Sequence, residues 1–200
     1  MKTLRYKLTA GLLFSALAST LAFGRASATD GYHFEVGLGY TSGTDNIVRQ
    51  METNFGFKRD HKFPVGLQLN AYRRFSGNYA VGAGIGPGMF FKVTDTFTGD
   101  QRDYVIPASV DFRYFFRQFG PVGPYARVGL AYAFAGGDHL ATAKPGPLFA
   151  VGASIGEKHG LSLGFELGCD TSTIKVKNGL FHREENVRPV EFCCRAYLAF

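Results

Sequence analysis

The sequence contains no tryptophan and only three cysteines among its 200 residues. Beyond the N-terminal segment, it also lacks any apolar stretch of useful length with the periodicity of a helix. These absences argue against a helical domain and against a scaffold held together by several disulfides. Glycine (26 residues), phenylalanine (20) and tyrosine (10) are abundant instead. Such a composition favours a domain built from many short strands.

Most of the net positive charge comes from the N-terminal segment. Lys2, Arg5 and Lys7 precede an uncharged run of 17 residues, which ends near a small-residue Ala-Ser-Ala motif. This pattern predicts a cleavable signal peptide over residues 1–28 and a mature domain over 29–200; a retained transmembrane anchor is the alternative. Four of the 22 basic residues lie in the leader, so 18 basic and 16 acidic residues remain. A nucleic-acid partner is therefore not expected.

The mature sequence alternates between apolar residues and other residues in eight segments. In the last segment, Phe192, Leu198 and Phe200 share an apolar face, whereas Glu191 and Arg195 lie on the other face. The eight predicted strands cover residues 34–40, 63–75, 79–85, 108–116, 125–134, 149–155, 161–170 and 190–200. The connections after the odd-numbered strands are long and polar, and those after the even-numbered strands are short.

Two all-β folds fit this pattern. In a secreted β-sandwich, the apolar faces form the core and the charged faces meet water. In a closed transmembrane barrel, the apolar faces meet lipid and the charged faces enclose the lumen. The polar faces of the strands at 79–85 and 149–155 carry only alanine, glycine and serine, which is unusual for a strand face in water. We therefore predict an all-β fold, an eight-stranded antiparallel up-and-down transmembrane barrel.

Charged residues at the predicted inward positions are the main candidates for a functional site. They are Glu35, Arg74, Asp111, Arg113, Arg127, Glu166, Glu191 and Arg195. Four acids and four arginines can pair, and the interior of an eight-stranded barrel is just wide enough to be filled by side chains. We expect a salt-bridged network that fills the lumen and satisfies its buried charge. A narrow pore or a proton path is the alternative.

The leader, the strand count, the alternating loop lengths and the terminal Phe200 together resemble the small eight-stranded bacterial outer-membrane β-barrels. The membrane domain of outer-membrane protein A and the adhesion barrels represent this family. The resemblance implies Sec-type export, location in the Gram-negative outer membrane and a monomeric barrel. It also implies that Phe192, Leu198 and Phe200 form a C-terminal insertion signal for the barrel-assembly machinery. Outer-membrane lipid and lipopolysaccharide are the expected partners.

The expected function is non-enzymatic, in envelope integrity or surface interaction. The rival hypothesis is a lipid-A-modifying enzyme, for which Ser42, Asp60 and His61 in the first long loop are the candidates. The five histidines show no metal-ligand spacing, and no glycine-rich segment opens a helix as a phosphate-binding loop would. We therefore expect no cofactor and no metal.

Two further groups of residues carry hypotheses. Basic residues of the first and last long loops, such as Arg49, Lys175 and Lys177, are candidates for binding lipopolysaccharide phosphates. Cys169 and Cys194 fall on the same outward face of neighbouring predicted strands. A strained cross-strand disulfide and free thiols facing lipid are the two readings of this pair.

Overall fold

The computed structural model describes residues 31–55, 65–75, 78–95, 99–156, 161–177, 184–188, 190 and 192–200. Residues 1–30, including the predicted signal peptide, lie outside these ranges. Among the described residues, no helix is both long and apolar enough to cross a membrane. The elements are β1 (Tyr32–Thr41), α1 (Thr44–Phe55), β2 (Val65–Phe75), β3 (Tyr79–Ile85), β4 (Met89–Asp95), β5 (Gly99–Phe115), β6 (Val122–Gly136), β7 (Leu140–Lys144), β8 (Gly146–Ile155), β9 (Ser162–Asp170), β10 (Thr173–Lys177), β11 (Glu184–Val187) and β12 (Cys193–Ala199).

Eight strands close into an antiparallel barrel. Their order is β3, β2, β1, β12, β9, β8, β6 and β5, and the pairing of β3 with β5 completes the cylinder. Each barrel strand overlaps one of the eight predicted strands, so the predicted eight-stranded up-and-down barrel is confirmed. At the seam between the first and last strands, Phe34 and Phe200 exchange two backbone hydrogen bonds with N···O distances of 2.9 and 3.0 Å.

The side chains of the barrel strands alternate between a buried interior and an exposed exterior. On β9, burial alternates at every residue: Leu163 is 57% exposed, whereas Glu166 is 2% exposed. Apolar side chains face outward and charged side chains face inward on this strand, and most large apolar side chains of the other barrel strands are likewise exposed on the outside. This distribution is the reverse of a soluble sandwich, in which the apolar faces would be buried against each other. The sandwich alternative is therefore wrong.

Short turns and long connections lie at opposite ends of the barrel. The end with the turns β2–β3, β5–β6 and β8–β9, together with Gly31 and Phe200, is called the turn end. The other end, called the loop end, carries α1, β4, β7, β10 and β11. Pro87 separates β3 from β4, and both strands pair with the long strand β5. The barrel wall therefore continues at the loop end as a β4–β5 hairpin.

Several segments predicted to be polar loops are regular elements instead. The first long loop contains α1, the segment 92–102 belongs largely to β4 and β5, and β7, β10 and β11 form a small three-stranded sheet. These segments are ordered because they share a buried apolar cluster with the barrel wall at the loop end. Its members are Ile47, Met89, Val105, Ala133, Ala135, Leu140, Ile174, Val176 and Val187. Val190, which strand alternation places on the same apolar face as Phe192 and Leu198, is also buried (4% exposed).

Candidate functional site in the barrel lumen

Six charged side chains form a closed ring of ion pairs inside the barrel. In order around the ring they are Glu35 (β1), Arg113 (β5), Asp111 (β5), Arg127 (β6), Glu166 (β9) and Arg195 (β12). All six side chains are buried. Each acid lies between two arginines, and each arginine lies between two acids. We call this cluster the ion-pair ring.

Glu35 joins the first strand to two distant strands. Its Oε1 accepts a hydrogen bond from Arg113 Nη1 at 2.6 Å, and its Oε2 accepts one from Arg195 Nη1 at 2.8 Å. Because each carboxylate oxygen has its own arginine, both negative oxygens are satisfied without water. Charge-assisted hydrogen bonds of this kind are the strongest in proteins.

The other two acids complete the ring. Asp111 Oδ1 accepts from Arg113 Nε at 3.0 Å, and Asp111 Oδ2 lies 2.9 Å from Arg127 Nη2. Glu166 Oε1 accepts from Arg127 Nη1 at 2.9 Å. Arg195 binds Glu166 through two parallel contacts, Nε–Oε1 at 2.8 Å and Nη2–Oε2 at 2.7 Å. Three acids and three arginines cancel in charge, which offsets much of the cost of burying them.

Strand register explains how the sequence assembles this ring. Arg195 and Glu166 are direct cross-strand partners on β12 and β9. Arg113 and Arg127 are also direct partners, on β5 and β6, which alone would be repulsive. Asp111, two residues from Arg113 on the same face, binds both guanidinium groups and removes that repulsion.

A layer of aromatic side chains lies beside the ring. Tyr72, Phe115, Tyr125 and Tyr197 belong to one buried cluster, here called the aromatic layer. The Arg113 Cζ atom lies 4.3 Å from the ring centroid of Tyr72, and the Arg195 Cζ atom lies 4.6 Å from that of Tyr197. Tyr125 Oη donates to Glu166 Oε2 at 2.8 Å, and Tyr197 Oη donates to Tyr125 Oη at 3.0 Å. The aromatic layer and the ion-pair ring are therefore one packed unit.

Glycines on the inner face make room for this layer. A Cβ atom at Gly152 would overlap the ring of Tyr125, and one at Gly164 would overlap the ring of Tyr197. The strand pattern predicts small residues, glycine among them, on the inward face, but it does not single out these tyrosines. The signal was present, because Tyr125 and Tyr197 are bulky inward residues on strands that pair with glycine-rich inward faces.

Solved structures of bacterial outer-membrane proteins have the same architecture. Outer membrane protein OprG from Pseudomonas aeruginosa matches with a TM-score of 0.58 and 10% identity, over 84% of this chain and 93% of OprG. Outer membrane protein W from E. coli matches with a TM-score of 0.55 and 15% identity, over 86% and 97%. AlkL matches with a TM-score of 0.51 and 14% identity, over 90% and 93%. The fold is that of a small outer-membrane β-barrel.

No protein-family model and no curated protein matches the sequence of this small outer-membrane-type barrel. Of the eight charged residues predicted to line the lumen, the structure brings six together in the ion-pair ring. Arg74 lies nearer the turn end, with its Cζ atom 4.2 Å from the ring centroid of Phe115. Glu191 lies outside the described residues.

The three residues of the predicted insertion signal lie on the outside of the barrel. Phe192, Leu198 and Phe200 are all exposed, on or beside the closing strand β12. The Phe200 ring packs against the Phe34 ring of β1, with centroids 6.3 Å apart. Recognition of these residues by the assembly machinery stays a prediction.

The candidate enzymatic residues are only partly described. Ser42 Oγ accepts a hydrogen bond from the Phe192 backbone N at 3.1 Å, and Asp60 and His61 lie outside the described residues. A different pair, Asp103 and His139, is not among the predicted site residues; its Oδ2 and Nδ1 atoms lie 2.8 Å apart. This pair depends on the register of β5 and β6 and has no local sequence signal. Within the described part of the chain, no group of three or more possible ligands could hold a metal ion.

The three cysteines are free thiols. Cys194 pairs in register with Leu167, so Cys169 is its diagonal neighbour rather than its direct partner. Cys169 is exposed on the barrel exterior, and Cys193 and Cys194 are half-buried. Of the two readings for Cys169 and Cys194, the structure has the free thiols.

Proposed function

We propose that the protein is an integral protein of the Gram-negative outer membrane. The observation that carries this proposal is the closed barrel whose outward faces are apolar and whose inward faces hold the charge. A surface of exposed leucine, valine and phenylalanine side chains around a whole cylinder is unfavourable in water and favourable in hydrocarbon. The likeness in fold to solved outer-membrane proteins supports the same location.

The loop end would face the cell exterior and the turn end the periplasm, as is usual for barrels with short turns on one side. Outer-membrane lipid is then the main partner of the barrel, and lipopolysaccharide is the partner of its loop end. Phe192, Leu198 and Phe200 would be read by the barrel-assembly machinery during insertion. The protein would act as a monomer, because the eight strands close on themselves.

The role we propose is non-enzymatic and lies in envelope integrity or surface interaction. The ion-pair ring and the aromatic layer fill the lumen with paired side chains. A filled lumen favours a function carried by the barrel exterior and the loop end over transport through the barrel.

Cell fractionation followed by gel electrophoresis of heated and unheated samples tests the proposed location. We expect the protein in the outer-membrane fraction and a faster-migrating band in the unheated sample, because a closed barrel binds less detergent than the unfolded chain. A control sample unfolded in urea before loading should run as the heated band. Recovery of the wild-type protein in the soluble periplasm, with a single band in every sample, would contradict the proposal.

A further inference from the structure

One sector of the lumen, between β1 and β5, contains an uncharged amide beside the ion-pair ring. Glu35 of β1 pairs in register with Asn70 of β2, Asn70 pairs with Gly84 of β3, and Gly84 pairs with Ser109 of β5. The ion pair between Glu35 and Arg113 crosses this sector from β1 to β5. Neither β2 nor β3 contributes a charged side chain to the ring, so Asn70 is the polar group that β2 places there.

The Asn70 side chain is buried and has no hydrogen-bond partner. It is 5% exposed, and within the described part of the chain neither Asn70 Oδ1 nor Asn70 Nδ2 makes a hydrogen bond. A Cβ atom at Gly84 would overlap Asn70 Oδ1, so the amide lies over the inner face of β3. A buried amide in this state has lost its contacts with bulk water and has gained no hydrogen bond in exchange, which is costly.

Polar side chains with partial exposure lie on the loop side of Asn70. Gln68 is the next inward residue of β2 towards the loop end, and it is half-buried. Ser109 is also half-buried, and its Oγ accepts a hydrogen bond from Arg127 Nη2 at 2.8 Å. On the turn side of Asn70, by contrast, Tyr72 is 6% exposed and belongs to the aromatic layer. The lumen is therefore less tightly packed on the loop side of Asn70.

We propose that Asn70 binds a buried water molecule, which joins β2 to the polar side chains of the lumen. The amide offers an acceptor, Oδ1, next to a donor group, Nδ2, and a water molecule can donate to the first and accept from the second. A metal ion or an anion would satisfy only one of them. Buried waters typically make about three hydrogen bonds, and Ser109 Oγ and the Gln68 amide are the neighbouring polar groups. No side chain stands between Asn70 and Ser109 on β3, because the residue there is Gly84.

Contacts between water and the side-chain amide of Asn70 test the site. In the ¹⁵N-labelled barrel folded in detergent micelles, a water that stays bound gives cross-peaks of opposite sign in NOESY and ROESY spectra, whereas surface hydration does not. We expect such cross-peaks between water and the Asn70 Nδ2 protons. Asn78 is the matched control, because it carries the same amide, is exposed at the turn end and should give none.

The substitution Asn70→Leu tests the same site through stability. Leucine has nearly the shape of asparagine but no polar atom, so it would displace the water and remove the bridge to the neighbouring polar groups. The midpoint of urea unfolding in lipid vesicles should then shift to a lower urea concentration. Without a bound water, the same substitution would only remove an unpartnered buried amide, and the midpoint would rise. Asn78→Leu, at the exposed position, should leave the midpoint nearly unchanged.

Two results would each overturn the water site: Asn70 cross-peaks that do not differ from those of Asn78, or an Asn70→Leu midpoint that stays the same or rises. The cross-peak measurement uses the wild-type chain, so it decides the question even if the leucine variant does not fold. Neither result affects the proposed location, which stands as long as the wild-type barrel fractionates with the outer membrane and changes its migration on heating.

Discussion

Within the ion-pair ring, every charge has two neighbours of opposite sign, so no single residue can be removed without leaving unbalanced charge among buried side chains. Glu166 is the most connected acid, with contacts to Arg127, Arg195 and Tyr125. The net stabilisation from a buried ion pair is often small, because desolvation opposes the Coulomb attraction. Breaking such a pair from one side is nevertheless costly, since the remaining partner keeps its desolvation penalty.

The substitution Glu166→Ala should therefore lower the free energy of unfolding by about 3–5 kcal/mol. Urea-induced unfolding of the barrel in lipid vesicles measures this change. Asp138→Ala is the matched control, because Asp138 is an exposed acid at the loop end, and its loss should stay within about 0.5 kcal/mol. Equal effects of the two substitutions would mean that the ion-pair ring does not contribute to stability.

The sequence predicts which face of its strand each charged residue of this site occupies. An apolar residue on each side of Glu35, Arg127 or Arg195 is enough to assign these charges to the inner face. The sequence does not predict which charged residues form ion pairs with each other. Arg113 and Glu35 are 78 positions apart, and their contact depends on the register of several strand pairs. For the same reason Arg74 has the correct parity but packs on Phe115 instead of joining the ring.

Among the elements, the closing strand β12 is followed by Phe200, which has two roles that experiments can separate. Phe200 packs against Phe34 of β1, and it belongs to the predicted insertion signal. Loss of packing alone would affect the folded barrel wherever it is made. Loss of a recognition signal would affect only assembly in the cell.

We expect Phe200→Ala to reduce the amount of heat-modifiable barrel in the outer membrane several-fold, while refolding of the purified chain into vesicles changes little. Leu163→Ala is the control, because Leu163 is equally exposed (57%) and pairs with Leu198 on the same exterior surface. Equal losses in the cell and in the vesicle assay, or equal losses for both variants, would contradict the insertion-signal role.

The elements at the loop end were the least predictable from sequence. Helix α1 carries Ile47 as a fully buried apolar residue, and β10 carries only Ile174 and Val176. Such short patterns do not stand out in a polar segment, because their stability comes from contacts with distant strands such as β5 and β6 rather than from local propensity. The long barrel strands were predictable because their alternation persists over many residues.

For the molecule as a whole, the filled lumen predicts a barrel without steady ion conduction. Planar-bilayer recordings of the wild-type barrel should show no stable openings, because the ion-pair ring and the aromatic layer leave their interior atoms in contact with each other. The neutral double variant Glu35→Ser/Arg113→Ser removes a charge pair and side-chain volume together, so brief openings should become more frequent. Stable wild-type openings would favour the narrow-pore alternative.

The ion-pair ring draws Glu35 from the first barrel strand and Arg195 from the last. In a sheet whose first and last strands have not yet paired, Glu35 and Arg195 would be on separate edges, and their ion pair could not form. The final pairing of β1 with β12 brings the two charges together and completes the ion-pair ring. We therefore expect barrels in which β1 and β12 have not paired to be short-lived, and the closed barrel to be the long-lived product of assembly.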